Sequence, residues 1–393
     1  MDRIANPFAP GVGVPPPELV GRETIVEDGI VSIERNKRGL HAKPLIVSGL
    51  RGVGKTVLLH TFRTYCEDHH YGAAFIEETE QGGFLRSLAQ ELRSSLAVLR
   101  CASLSDLGRR ALATLKSFSL GVGGEPNIDD GVNLDEIDYQ DANTGDTAID
   151  LQRVLVAIGE AVGERGSVLC IGIDDVQNLS KDELRGLIST LQAIAARKLP
   201  IAIVGAGLPN LQNSIADAKP YAERQFHFVN IGSLSVDDVR RAVETPIVRS
   251  GAAISDDAIA KIAAVTQGYP YFVQEWAHDA WNLARGNTII EEDVDAATPV
   301  ALQRLDRDFF QTRLSRLTAR EIDYAFALAT LGAGPQGTED VASKFGTTSA
   351  ACASLRERLI QKGAIFSPKT GATQFTAPLF DDYLLRTQQP AQR

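Results

Sequence analysis

The chain has 393 residues, enough for two or three domains, and 44% of them are hydrophobic, enough to build buried cores. A net charge of −10 argues against a protein that coats nucleic acid. No run reaches the roughly 18 apolar residues of a membrane span, and the N-terminus lacks the apolar segment of a secretory signal. The four cysteines are far apart and without metal-ligand spacing, which indicates reduced thiols in a cytoplasmic protein with no membrane contact.

The N-terminal half alternates strands with helices. Residues 1–20 are rich in proline and glycine and are predicted to form an extended arm. Strands are then predicted at 44–48, 73–76, 168–173 and 201–204, and helices at 57–67, 82–99, 147–163 and 181–197. The uninterrupted apolar run at 168–173 is typical of a parallel strand buried on both faces. The predicted fold class is therefore α/β, with a parallel-sheet core at 21–232.

One segment of this core breaks the alternation. Residues 119–146 contain eight acidic side chains, no basic one and several glycines. This composition predicts a surface insertion, with a short hairpin at 118–122.

The C-terminal part is predicted to be mainly helical. No strand is expected between residue 231 and residue 364. Ser235 and Ser255 are each followed by acidic residues, as at helix starts, and predict with the helix at 270–284 a small helical domain at 233–300. Helices at 318–331, 339–345 and 349–361, then a hairpin of 364–367 and 373–376, follow the winged-helix order and define a domain at 301–389. Residues 301–393 hold 12 Lys/Arg and 9 Asp/Glu, a net charge of +3 that leaves −13 for the rest of the chain.

The first loop of the core carries a phosphate-binding motif. Residues 49–56, GLRGVGKT, match the Walker A pattern GxxxxGK[ST] between a predicted strand and a predicted helix. Glycines allow positive φ and bring backbone N–H groups against phosphates, and the helix start adds positive potential. Lys55 is predicted to reach the β- and γ-phosphates and Thr56 to ligate Mg²⁺, so the cofactors are ATP or ADP with Mg²⁺. The predicted phosphate site consists of Gly49, Gly52, Val53, Gly54, Lys55, Thr56 and Val57.

A second motif lies at the end of the apolar strand at 168–173. Asp174 and Asp175 follow it directly, as in a Walker B segment. A P-loop site needs a carboxylate for the metal and a polar group for the attacking water. Asp174 is therefore predicted to hold Mg²⁺, directly or through water, and Asp175 to orient or activate the water.

With both motifs placed, the chain resembles the origin-recognition-like AAA+ ATPases, in the bacterial branch that grades into the STAND switch ATPases. The resemblance covers about residues 6–389. Besides the Walker motifs it is carried by NPFAPG at 6–11, LVGRE at 19–23, GAGLP at 205–209, YAER at 221–224 and GYPY at 268–271. It implies that residues 233–300 form a lid over the nucleotide.

The resemblance also implies roles for single residues. Val20 and Arg22 are expected near the adenine, and Pro270 is expected against the adenine ring. Arg224 is expected to act as an arginine finger on a neighbouring subunit, which implies a homo-oligomer in the ATP state. For Arg22 and Arg224 a surface position, with Arg224 in a solvated salt bridge, is the alternative.

Three departures from the family pattern favour a slow switch over a fast motor. Ala206 or Gly207 stands at the sensor 1 place, and Tyr271 or Phe272 at the sensor 2 place. Asp175 stands where many active AAA+ enzymes have Glu, and a misplacement of about 1 Å can cost roughly a hundredfold in rate. The predicted function is slow, Mg²⁺-dependent ATP hydrolysis coupled to a conformational or assembly switch.

Two alternatives remain open at this point. One is a DNA-associated AAA+ ATPase of the initiator or transposition-helper type, and the other is a nucleotide-bound scaffold without useful turnover. In the first, basic residues of the winged helix would face DNA phosphates. Otherwise this domain would dock a protein partner. The basic residues that would face DNA phosphates are Arg356, Arg358, Lys362 and Lys369.

Overall fold

The computed structural model describes residues 1–11, 13–77, 83–99, 105–123, 138–219 and 222–388. It divides into two compact units. The core unit comprises Arg22–Gly49 and Lys55–Ile231, and the C-terminal unit comprises Met1–Gly21, Leu50–Gly54 and Gly232–Arg393. In the part of the chain that is described, no helix is both long and apolar enough to cross a membrane.

The core unit is an α/β layer structure around a parallel sheet. Over its described residues the sheet has five strands in the order β2-β3-β4-β1-β5, all parallel. Every residue of β1, β3 and β4 is buried, as predicted for apolar strands covered on both faces. The elements are α1 Glu23–Lys37, β1 Leu45–Gly49, α2 Lys55–Asp68, β2 Gly72–Glu77, α3 Phe84–Val98, α4 Asp106–Gly121, α5 Thr147–Glu164, β3 Leu169–Asp174, α6 Lys181–Arg197, β4 Ile201–Gly207, α7 Leu211–Ala218 and β5 His227–Ile231, with 3-10 turns at Val176–Asn178 and Ala222–Arg224.

The predicted hairpin at 118–122 is wrong. Residues up to Gly121 belong to α4, whose Ala111, Leu115 and Phe118 recur at helical spacing and are buried in the core. The glycine-rich, acidic composition begins before this helix ends, and the apolar stripe decides the structure. Ala142 is buried in the same core, so part of the predicted surface insertion at 119–146 is packed inside the unit. Residues 124–137 of that insertion lie outside the described residues.

The C-terminal unit is mostly helical but contains two small sheets in its described part. The expectation that strands stop after 231 is wrong, because β6 and β7 pair in parallel and β8 joins β10 beside the predicted hairpin. These strands are two to four residues long, too short to leave a periodic signal. The elements are α8 Val236–Arg249, β6 Ala253–Ile254, α9 Asp256–Thr266, α10 Pro270–Leu283, β7 Thr288–Ile289, α11 Glu291–Leu305, a π-helical segment Asp306–Phe310, α12 Gln311–Leu314, α13 Ala319–Ala329, β8 Gln336–Gly337, α14 Thr338–Phe345, α15 Ala353–Gln361, β9 Ile365–Phe366, β10 Ala372–Phe375 and α16 Phe380–Thr387.

The N-terminal arm packs against α10 within this unit. The Trp281 indole N–H donates to the carbonyl of Asp2 at 2.7 Å, and the Asn6 amide donates to the carbonyl of His278 at 3.0 Å. Trp276 and Trp281 of α10 are 1% and 2% exposed and belong to the core of this unit. The arm therefore has fixed contacts along α10.

Candidate functional site

The loop between β1 and α2 has the backbone that phosphate binding requires. Gly52 and Gly54 have φ of 87° and 95°, a region that side chains disfavour. In the core unit, the Lys55 ammonium donates to the carbonyl of Gly49 at 3.0 Å and is 6% exposed. The amine therefore folds back toward the end of β1 from the start of α2, where the helix end contributes positive potential.

Thr56 and Asp174 meet in the core unit. Thr56 is the second residue of α2 and Asp174 ends β3, and the Thr56 hydroxyl donates to Asp174 Oδ2 at 2.5 Å. Burial raises the pKa of Asp174, the Thr56 hydrogen bond opposes this, and the neighbouring Asp175 raises it further. A cation next to a buried carboxylate stabilises its charged form. Hydroxyl and carboxylate oxygens are the donors that Mg²⁺ prefers, so the pair fits the predicted metal site.

Asp175 has an unusual backbone and a side-chain partner that sequence reasoning missed. Its φ of 52° and ψ of 45° are left-handed, a conformation that Asp tolerates and that recurs at functional sites. Its Oδ1 accepts from the Gln177 amide at 2.8 Å, and Gln177 Oε1 accepts from the Leu208 N–H at 3.0 Å. Gln177 thus positions the carboxylate and ties it to the end of β4.

The end of β4 also explains one departure from the family pattern. An added Cβ at Gly207 would lie 2.8 Å from Gln177 Oε1 and 2.5 Å from the Leu211 side chain. Glycine at 207 therefore leaves room for Gln177. The polar group at this strand end comes from Gln177 rather than from β4 itself.

Arg224 lies at the end of the sheet where the strands begin, opposite the end where β3 and β4 carry the residues described above. It ends the 3-10 turn before β5, and β5 runs parallel to β1 with Leu45 opposite His227 and Gly49 opposite Ile231. The five residues of β5, at roughly 3.3 Å each, separate this end of the sheet from the end where β1 reaches Gly49. Arg224 is exposed and lines an open cleft of about 340 Å³ with His41, Lys43, Pro44, Leu191, Gln192, Ala195 and Gln225. It is too far away to act on the site of its own chain.

The residues expected near the adenine fall in both units. Val20 and Arg22 are 8% and 9% exposed, and Arg22 precedes α1. In the C-terminal unit Pro270 is the first residue of α10, where its fixed φ suits a helix start. The N–H of Tyr271 donates to the carbonyl of Gly52 at 3.3 Å. Gly268 has φ of 66°, and an added Cβ would lie 2.3 Å from the Leu234 carbonyl, so this turn requires glycine.

The basic residues predicted to face DNA are mostly engaged inside the C-terminal unit. Lys362 and Arg358 lie 2.6 and 3.4 Å from the carboxylate of Glu321, which is 0% exposed. A Thr318–Glu321 capping box at the start of α13 places that carboxylate. Arg358 and Lys362 thus supply charge to a buried acid, and a contact of either with DNA phosphates stays a prediction. One terminal nitrogen of Arg356 is buried, and Lys369 is exposed in the β9–β10 turn.

Comparison with known proteins finds family models similar to two parts of the chain. The AAA ATPase domain model matches residues 18–204, and the model of a domain of unknown function matches residues 307–384. No curated protein matches the sequence.

Solved structures resemble the fold to different extents. A Walker-type ATPase of Pyrococcus abyssi superimposes with a TM-score of 0.58 at 15% identity, covering 93% of this chain and 96% of that one. The Orc1 protein of Aeropyrum pernix in complex with DNA reaches 0.46 at 13% identity, covering 98% and 96%. The RuvB Holliday junction branch migration motor of Thermotoga maritima reaches 0.45 at 14% identity, covering 94% and 96%. The last two scores are too low to establish a shared fold. The parallel sheet with its phosphate loop has the α/β fold of an ATP-binding P-loop ATPase, and residues 18–204 are similar to the AAA ATPase domain.

Proposed function

We propose that this protein is a nucleotide-controlled switch that hydrolyses ATP slowly with Mg²⁺. The observation that carries the proposal is the Thr56–Asp174 hydrogen bond, with Asp175 held next to it by Gln177. The first two groups supply oxygens for Mg²⁺, and the third supplies a carboxylate for the attacking water. Lys55 neutralises charge on the β- and γ-phosphates.

The rest of the chain serves the switch in this proposal. Residues 233–300 are the lid and residues 301–389 a winged helix, as in STAND ATPases. Val20, Arg22 and Pro270 hold the adenine. Tyr271 and Phe272 stand at the sensor 2 place and give the lid no cation for the γ-phosphate at that position. Adenine contacts feel ADP and ATP alike, so ADP alone closes the lid in a compact monomer.

ATP then acts on assembly. Arg224 is exposed at the sheet edge away from its own nucleotide, a position suited to a neighbour's γ-phosphate. An arginine supplied in this way is worth ~10³–10⁵ in rate in related chemistry. The ATP state is therefore a homo-oligomer, and hydrolysis in an isolated subunit is slow.

Phosphate release in a single turnover tests the enzyme proposal. Excess protein with limiting ATP should release phosphate with Mg²⁺ and not with EDTA. A protein that binds ATP but releases no phosphate over several hours is the scaffold of the alternative proposal. Calorimetry with ATP separates this result from a failure to bind nucleotide at all.

Particle mass and melting temperature test the switch. ADP at ~100 times its Kd should add ~2.7 kcal/mol of stability, and Pro270→Ala should reduce the rise in melting temperature. An ATP analogue should raise the mass of the parent and not of Arg224→Ala. Arg197→Ala is the matched control, because Arg197 is exposed and pairs with Glu160. Equal assembly of parent and Arg224→Ala would remove the arginine finger from the proposal.

A further inference from the structure

Two polar side chains beside the phosphate loop lack partners. Both lie in the C-terminal unit, which includes Leu50–Gly54. The Tyr269 hydroxyl is buried without a hydrogen-bond partner, and so is one terminal nitrogen of Arg313 in α12. Buried polar groups are nearly always hydrogen-bonded in folded proteins, so two orphans in one place require an explanation.

Arg313 is held by an aromatic stack instead of by an acid. Its guanidinium lies 3.8 Å from the centroid of the Phe309 ring, which stacks on Tyr271 at 5.5 Å. Burial lowers the pKa of Arg313 to about 10, Tyr269 opposes this, and the positive charges of Arg51 and Arg316 lower it further. Within the described residues no carboxylate pairs with Arg313. The group nevertheless stays charged at neutral pH.

The Tyr269 hydroxyl faces the loop. An added Cβ at Gly52 would lie 3.3 Å from this hydroxyl and 3.0 Å from the neighbouring ring carbon. Burial raises the pKa of Tyr269, and nearby Arg313 and Arg51 counteract it, which places both cations close to the same oxygen. Arg51 is itself a loop residue. Loop backbone, hydroxyl and guanidinium thus converge on one place.

A buried cation without a counter-ion is unfavourable, and an anion bound beside it removes the penalty. The only anion that the loop is built to hold is the phosphate chain of a nucleotide. We propose that Arg313 and the Tyr269 hydroxyl bind a phosphate of the nucleotide carried by Leu50–Gly54. This inference rests on the proposed function and adds to it the residue that detects the phosphates.

The position of Arg313 in the chain gives the contact a consequence. The residue lies in α12, after the predicted lid at 233–300 and before the first helix, 318–331, of the winged-helix domain predicted at 301–389. Tyr271 and Phe272 leave the sensor 2 place without a cation. In this proposal Arg313, from the later helix α12, supplies the positive charge instead. Loss or gain of a phosphate then acts directly on the segment that leads into the winged helix.

Thermal melting of three variants tests the proposal. Arg313→Met keeps an unbranched side chain that can pack against Phe309 but removes the charge, and Tyr269→Phe removes only the hydroxyl. Arg307→Met is the control, since Arg307 is exposed and pairs with its neighbour Asp308. In the absence of nucleotide, the first two variants should melt at or above the parent temperature. With ADP or an ATP analogue, their rise in melting temperature should be smaller than that of the parent and of the control.

Calorimetry gives the expected size of the effect. Because a hydrogen bond to a charged group contributes substantially to binding free energy, Arg313→Met should bind at least one of the two nucleotides about tenfold more weakly. A loss for both nucleotides assigns the contact to a phosphate that ADP also carries, and a loss for the ATP analogue alone assigns it to the γ-phosphate. Parent-like affinity for both, or a lower melting temperature without nucleotide and an unchanged rise with it, overturns the inference. A parent that binds neither nucleotide overturns the proposed function instead.

Discussion

Charged side chains have different kinds of hydrogen-bond partner in the two units of this molecule. In the core unit, the Lys55 ammonium donates to a backbone carbonyl and Asp174 accepts from a hydroxyl, at the place predicted to hold phosphate and Mg²⁺. In the C-terminal unit, buried Glu321 is matched by Lys362 and Arg358. The first two side chains are predicted to meet a ligand, and the second arrangement uses charge to stabilise the fold. Removing a charge should therefore affect activity in one region and stability in the other.

Asp175→Asn should have the largest effect. The amide keeps the shape and can accept from Gln177, but it cannot take a proton. General base catalysis contributes ~10²–10⁴, so single-turnover phosphate release should slow by about a hundredfold or more. Asp174→Asn should instead weaken the Mg²⁺ dependence of nucleotide binding, measured by calorimetry with and without EDTA.

The control for these variants is Asp182→Asn, an exposed acid in the first turn of α6. It should match the parent in rate and in binding. If both Asp174→Asn and Asp175→Asn hydrolyse ATP as the parent does, the assignment of the β3 end as the catalytic edge is wrong.

Lys55→Ala comes next. Each charge-assisted hydrogen bond to phosphate contributes ~1.5–3 kcal/mol, so ATP affinity should fall at least tenfold. The melting temperature without nucleotide should change little. Lys181→Ala removes an exposed Lys and should bind like the parent. Unchanged affinity of Lys55→Ala would move the nucleotide site elsewhere.

Much of the core could be predicted because its signals are local. An apolar run such as 168–173 is buried wherever a parallel sheet forms, and the GxxxxGKT motif fixes its own backbone. The Thr56–Asp174 pair followed from the same two motifs. Gln177 could not be predicted, because its reach to Asp175 depends on the left-handed backbone of Asp175 and on the space at Gly207.

Long-range pairing explains the other misses. Lys362 and Arg358 show as surface cations on a helix pattern, and only the folded unit brings Glu321 of α13 to them. The orphan guanidinium of Arg313 depends in the same way on Tyr269 and the loop, which are distant in sequence. Charge that is matched across distant elements leaves no periodic signal in the chain.

Glu321→Gln tests the stability half of the comparison. Burial opposes ionisation of Glu321, but hydrogen bonds from Lys362 and Thr318 prevail and hold its pKa below the ordinary 4.5. The variant should lose about 1–3 kcal/mol in urea unfolding, the range for hydrogen bonds to charged groups, with ATP affinity unchanged. Since the folded pKa is the lower one, the parent should hold this contribution above about pH 5 and lose it on acidification. A variant as stable as the parent at pH 7 would contradict the structural role.

The smallest expected effect concerns DNA. Arg358 is exposed but paired with Glu321, and one Arg356 nitrogen is buried, so Lys369 in the β9–β10 turn is the exposed member of the tested set for which the described residues show no ion pair. Replacing all three would remove three phosphate contacts if all faced DNA, at about 0.9 in the slope of log K against log salt per contact. We expect a change of about 0.9 for the triple variant, the same for Lys369→Ala, and none for Arg358→Ala.

Measurement of DNA retention across a salt series decides between these outcomes. Arg358→Ala should show its effect in unfolding instead, since Glu321 then loses one of its two cations. A slope change of about 2.7 for the triple variant would mean that Arg356 and Arg358 leave their internal contacts to meet DNA, and the comparison between the two units would fail. If the parent retains no DNA at low salt with any nucleotide, the DNA-associated alternative is withdrawn, and the C-terminal unit is left to act on a protein or on the nucleotide itself.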